Sequence, residues 1–156
     1  MDRRFVALVD ALDPKLEQLR SMVPLHYGEL PREMPPSGVY LFSEGGRDLY
    51  VGRSNTLRQR YGRHCRPGAT HRQAAFAFRL AREATGRTKA SYRPGAESRA
   101  GLILEEAFKG SFDAAKERIR RMEYRYVEEA DQNRQALLEI YCAVVLETPY
   151  NDFNTH

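Results

Sequence analysis

Between residues 4 and 22, apolar side chains recur at Phe5, Leu8, Val9, Leu12, Leu16 and Leu19, the rhythm of one helix face, with Pro14 as the expected interruption. Prolines 24, 31, 35 and 36 then exclude regular structure and predict an extended connector as far as Ser37. GVYLF and DLYVG follow as two β-prone runs around Ser43-Glu44-Gly45-Gly46-Arg47. The glycine pair can take the positive φ of a tight reversal, so an antiparallel hairpin is expected. Ser54 or Asn55 is a suitable N-cap for a helix TLRQRYGRH that ends near Cys65, before Pro67-Gly68.

A second helix is predicted over residues 70–85 with Gly86 as its stop, then a polar, Gly- and Pro-bearing loop over 86–98. Further helices are expected over 96–108 and 112–119. The run EYRYVEE at 123–129 alternates as a third strand, and residues 134–147 make a closing helix ended before Pro149. No internal repeat or low-complexity tract interrupts this order.

Length and charge narrow the picture. At 156 residues the chain suits one domain with an ordinary core. The 25 Lys and Arg against 21 Asp and Glu, with a pI near 9.2, suggest a polyanionic partner. Arg47, Arg53, Arg58, Arg60, Arg63, Arg66 and Arg72 lie close together in sequence, whereas Glu128, Glu129, Asp131, Glu139 and Glu147 gather toward the end. Cys65 and Cys142 are far apart without CxxC spacing, which argues against a disulfide framework or zinc knuckle and for a reducing compartment. No apolar run approaches bilayer length, and the first residues do not resemble a targeting peptide, so a cytoplasmic protein that does not enter a membrane is expected.

Candidate chemistry concentrates in two stretches. Arg60 and His64 are one turn apart on one helix face, directly after the hairpin, where Gly52, Arg53 and Ser54 and the helix N-terminus can approach a phosphate. The plain alternative is a solvated basic helix. Glu139 sits in ALLEIYCAVVL, among apolar residues on every side of the helix. A carboxylate there needs a partner: an arginine, a narrow wet face of the helix, or a hard divalent ion whose remaining ligands are water and phosphate oxygens. Asn151, taken alone, reads as a turn residue, and Tyr40 and Tyr50 as ordinary strand aromatics.

Taken together these residues resemble the GIY-YIG nuclease family. Gly38-Val39-Tyr40 is similar to its first tripeptide and Tyr50-Val51-Gly52 to its second, and Arg60, His64, Glu139 and Asn151 follow in the order and context of its other signature positions. The resemblance is dense over residues 37–66 and about 122–153. It implies an α+β fold, a small three-stranded antiparallel sheet flanked by helices, in agreement with the hairpin and third strand. Here the sheet would carry an extra N-terminal helix and connector over 1–36 and a helical insertion over 67–121.

The resemblance also implies cleavage of phosphodiester bonds in DNA with one divalent ion, magnesium or manganese. Glu139 would hold the ion and Arg60 would face the phosphate. Tyr40 would take the proton of the attacking water, with Tyr50 sharing its hydrogen bonds. Arg53, at a position often held by lysine in the family, would lower a tyrosine pKa or hold phosphate. Gly52, Ser54, Arg58 and Arg63 complete the substrate-binding set. His64 would assist proton transfer or phosphate binding, and Asn151 would tie strands or loops around the site. The opposing expectation is a nucleic-acid-binding module of the same fold that does not cut. DNA sequence preference and oligomeric state, a homodimer included, stay open at this point.

Overall fold

The computed structural model describes residues 1–88 and 95–153. Of the polar loop expected over 86–98, residues 89–94 lie outside the described residues. The chain divides into two compact units. One is formed by Met1–Arg58 with Met122–His156, the other by Gln59–Arg121.

The first unit is built on a sheet of three antiparallel strands, β1 (Gly38–Glu44), β2 (Arg47–Ser54) and β3 (Glu123–Glu128), in the order β2-β1-β3. The fold is therefore α+β, with helices flanking a three-stranded antiparallel sheet. β1 is central, which explains why GVYLF is apolar without alternation: both of its faces are covered and residues 38–43 are all buried. Gly45 and Gly46 have φ of +59° and +78°, the left-handed pair that a two-residue hairpin of this twist requires. The ladder slips by one residue between Phe42 and Ser43, a bulge before the turn.

Helices α1 (Arg3–Asp10) and α2 (Leu12–Ser21) replace the single interrupted helix expected over 4–22. The break falls at Ala11 rather than at Pro14, because Pro14 occupies the first turn of α2, where its missing N–H has no partner to lose. Leu12, Leu16 and Leu19 enter the core. The apolar positions Phe5, Val6 and Val9 of α1 stay largely exposed. A closing helix, labelled α7 below, spans Gln132–Leu146. Asp131 caps it by accepting the Arg134 N–H at 2.8 Å, and Glu147 ends it in the left-handed region at φ 52°.

Strand alternation divides the sheet by chemistry. Val39, Leu41, Val51 and Val127 form one core cluster with Leu12, Leu16, Leu19, Leu138 and Cys142, so α2 and α7 cover the aliphatic face. The register sets Tyr40 opposite Gly52 and Tyr126, and Phe42 opposite Tyr50 and Tyr124, which makes the other face aromatic.

The helix after the hairpin, α3 (Leu57–Cys65), starts in the first unit, and from Gln59 onward its residues belong to the second. The second unit continues with α4 (Ala75–Thr85), α5 (Arg99–Ile103) and α6 (Glu106–Arg120). α4 begins five residues later than the pattern predicts. Gly86 ends it as expected, with φ +71°. α6 runs unbroken through Phe108 and Phe112, and the pause between helices falls at residues 104–105 instead. The reason is packing: Phe78 of α4 meets Phe108 and Phe112 at ring-centroid distances of 5.0 and 6.0 Å, which rewards a continuous helix carrying both phenylalanines on one face. Lys116 is buried there, its Nζ donating to the carbonyls of Pro67 and Ala69 at 2.7 and 2.9 Å.

Candidate active site at the edge of the sheet

Three consecutive residues of β2, Val51, Gly52 and Arg53, each receive one of the side chains singled out in the sequence. Tyr40 reaches Gly52 across the aromatic face. A Cβ built on Gly52 would lie 2.2 Å from both the Cζ and the hydroxyl oxygen of Tyr40, so only glycine leaves room for the phenol. The ring of Tyr50 lies 6.4 Å from that of Tyr40, tilted by 43°. Tyr40 is buried and Tyr50 only half-buried, because Tyr40 sits on the central strand and Tyr50 on the edge.

Asn151 reaches Val51. Its side-chain oxygen accepts the Val51 N–H at 2.8 Å and its amide donates to the Val51 carbonyl at 2.7 Å. An edge strand presents unpaired backbone groups of both kinds, and an amide side chain matches such a pair as another strand would. The Thr148 hydroxyl orients this amide by donating to the same oxygen at 2.7 Å, and the Tyr150 N–H adds a bond to the Leu49 carbonyl at 3.2 Å.

Glu139 reaches Arg53. The carboxylate oxygen stands 3.9 Å from the guanidinium Nε, an ion-pair separation without hydrogen-bond closeness, with the two side chains 23% and 41% exposed. Of the partners expected for a carboxylate in ALLEIYCAVVL, the arginine and the narrow wet face are both present. Leu138 and Cys142 face the core, Ile140, Val144 and Val145 face outward, and Glu139 lies on the border between these faces. The carboxylate therefore has both an arginine and a route to solvent.

Sequence reasoning missed Gln135. It is fully buried one helical turn before Glu139, and its side-chain oxygen accepts from Arg53 Nη1 at 3.2 Å. Its amide donates to the carbonyls of Ser54 and Glu129 and to Asn55 Oδ1, at 3.4, 3.0 and 3.1 Å. One buried amide thus fixes both Arg53 and the junction between β2 and α3. The available signal was its i, i+4 spacing to Glu139 on a helix otherwise apolar at buried positions.

The remaining predicted residues divide by unit. In the first, the Ser54 hydroxyl accepts the Thr56 N–H at 2.9 Å at the start of α3, and Arg58 is engaged by the carbonyls of Pro31 and Arg32, where it anchors the proline-rich connector. Arg60, Arg63 and His64 lie in the second. His64 is 0% exposed, its ring edge-on to Phe76 at 6.4 Å. Burial, reinforced by the Arg60 charge, lowers its pKa to about 3, so the imidazole is neutral at physiological pH.

Among the described residues no group of three or more His, Cys, Asp or Glu side chains forms that could hold a metal ion. The 23% exposure of Glu139 leaves room for water beside its carboxylate, as a hard ion that keeps most of its water would require.

Over 44 residues the chain is 39% identical to the UvrABC system protein C of Deinococcus radiodurans. The match covers 28% of this chain and 7% of the relative's length, so it is local to one segment of a much longer protein. No family model and no solved structure matches the chain.

Proposed function

We propose that this chain is a GIY-YIG-type DNA endonuclease, hydrolysing phosphodiester bonds with one divalent ion at the edge of the sheet. The reading draws on three contacts along β2: Tyr40 over Gly52, Asn151 on Val51 and Glu139 beside Arg53. The local similarity to UvrABC system protein C adds support for a nuclease domain.

The residues divide the work as phosphodiester hydrolysis requires. Tyr40, with Tyr50 beside it, accepts the proton of the attacking water. A phenol with its ordinary pKa of about 10 needs nearby positive charge for that role. Arg53 neutralises the phosphoryl oxygens, its planar fork suited to two of them. Glu139 would hold magnesium or manganese, which supplies Lewis-acid stabilisation of the charge that builds on the phosphate and leaving oxygen. Asn151 and Gln135 keep the strand and Arg53 in place.

The test is incubation of supercoiled plasmid with magnesium or manganese, comparing wild type with Glu139→Ala and Tyr40→Phe. Metal-dependent nicking lost in both variants is the expected result. Retardation of the plasmid with no product at any metal concentration would instead identify a non-cutting nucleic-acid-binding module.

A further inference from the structure

Charge is divided sharply between the two units. Fifteen of the 25 Lys and Arg residues but only six of the 21 Asp and Glu residues fall in Gln59–Arg121, a formal net charge of +9 for the second unit. The rest of the chain, which carries Tyr40, Tyr50 and Glu139, has 10 basic and 15 acidic residues, a net −5. The unit with the candidate carboxylate and phenols therefore repels a phosphate backbone in bulk, whereas the second unit attracts one.

Within the second unit part of this charge is focused. Arg82, in the last turn of α4, and Arg99, the first residue of α5, set their guanidinium carbons 5.1 and 5.3 Å from the centroid of one ring, that of Phe78. Arg82 is further fixed by donating to the carbonyls of Arg87 and Glu97 at 3.0 and 3.2 Å. Arg87 binds both Glu97 and Glu105, and Glu97 also attracts Arg82. Arg72 and Arg99 are exposed. After burial, the charges of Arg72 and Arg99 are what depress the proton affinity of His71, and Arg99 does the same to Arg82. Like-charged guanidiniums gathered around one ring are stabilised by a polyanion that reaches them.

We infer that the second unit grips the DNA phosphate backbone through Arg72, Arg82 and Arg99, and so supplies the affinity that the catalytic unit's own charge opposes. The nature of the polyanion rests on the endonuclease reading. The contact involves backbone phosphates, so it is independent of base sequence and strongly dependent on salt.

The test is fluorescence anisotropy with a labelled DNA duplex in EDTA, titrated with the full chain over a series of sodium chloride concentrations. The proteins are wild type, Arg72→Ala/Arg99→Ala, and a charge-matched control in the first unit, Arg3→Ala/Arg4→Ala. The double variant is expected to lower the slope of log affinity against log salt by about 2, roughly one for each phosphate-contacting cation, and to weaken unrelated duplexes equally. The control keeps the wild-type slope. Arg72→Gln/Arg99→Gln, with thermal unfolding followed by circular dichroism, shows that the loss is not one of folding. Equal slopes for wild type and double variant overturn the inference, as does failure of the wild type to bind duplex at low salt. Binding with the expected slope change but no plasmid cleavage overturns the endonuclease reading and leaves the grip standing, and cleavage with an unchanged slope does the reverse.

Discussion

The phenol of Tyr40 occupies the space that a side chain at Gly52 would need, with 2.2 Å separating its hydroxyl oxygen from the position of a Cβ there. Tyr40 belongs to the central strand and is closed in by Phe42 and Tyr124, at ring-centroid distances of 5.8 and 5.9 Å, so it has nowhere to retreat. Gly52→Ala is therefore expected to displace the phenol from the β2 backbone and to destabilise the chain by about 1–3 kcal/mol, the usual range for overpacking. Plasmid nicking should fall by more than the lost folded fraction accounts for. Urea unfolding and nicking measured on the same sample check both parts.

Asn151 makes two hydrogen bonds to one residue of the edge strand. Asn151→Asp retains an oxygen to accept the Val51 N–H but faces the Val51 carbonyl with a second oxygen. Asn151→Ala removes both bonds and leaves those groups to water. A loss of about 1–3 kcal/mol is expected for either change. Hydrogen exchange should show faster exchange at the Val51 amide than elsewhere in the sheet. Uniform acceleration over all three strands would mean that Asn151 supports the whole fold and not this edge.

What was legible in the sequence follows from what is local. The hairpin could be read because Gly45-Gly46 encodes its turn by itself, and β3 because its tyrosines alternate. The depth of Glu139 could not. Every neighbour of Glu139 in the chain is apolar, and only the packing of α2 and the sheet decides that Leu138 and Cys142 turn inward while Ile140 and Val144 face solvent. The long α6 was likewise set by tertiary contacts that a helical period does not reveal. Gln135 escaped notice because its i, i+4 spacing to Glu139 says little by itself; its meaning appears only when Arg53, Ser54 and Glu129 gather around it. The division of charge was hidden for a similar reason: the acidic unit is assembled from two ends of the chain.

Gln135 yields a sharper test of the site than its most visible residues do. Gln135→Leu keeps the volume but removes the acceptor for Arg53 and the donor to the Ser54 and Glu129 carbonyls. Arg53 then loses one of the side chains that hold it, Glu139 being another. The expected outcome is a fall of about tenfold or more in the single-turnover cleavage rate at saturating protein, with duplex affinity little changed. A change in affinity alone, with the rate preserved, would assign Arg53 to binding and not to the reacting phosphate.

His64 makes folding sensitive to acid in a definite direction. In the unfolded chain its imidazole takes up a proton near the ordinary value of 6.5, whereas burial and the Arg60 charge delay protonation in the folded protein to about 3. Between these values the unfolded state binds the extra proton, so stability is lost as pH falls through 6.5, and the loss is complete near 3. At about 1.4 kcal/mol per pH unit, the drop from pH 7 to pH 5 amounts to about 2 kcal/mol from this residue. His64→Phe keeps a ring in the contact with Phe76 and removes the titrating nitrogens. Urea unfolding followed by far-ultraviolet circular dichroism should show wild type losing about 2 kcal/mol more than the variant over that interval. Parallel losses in the two proteins would mean that the imidazole reaches solvent and is free to protonate, which would return His64 to the set of side chains able to place positive charge on a phosphate.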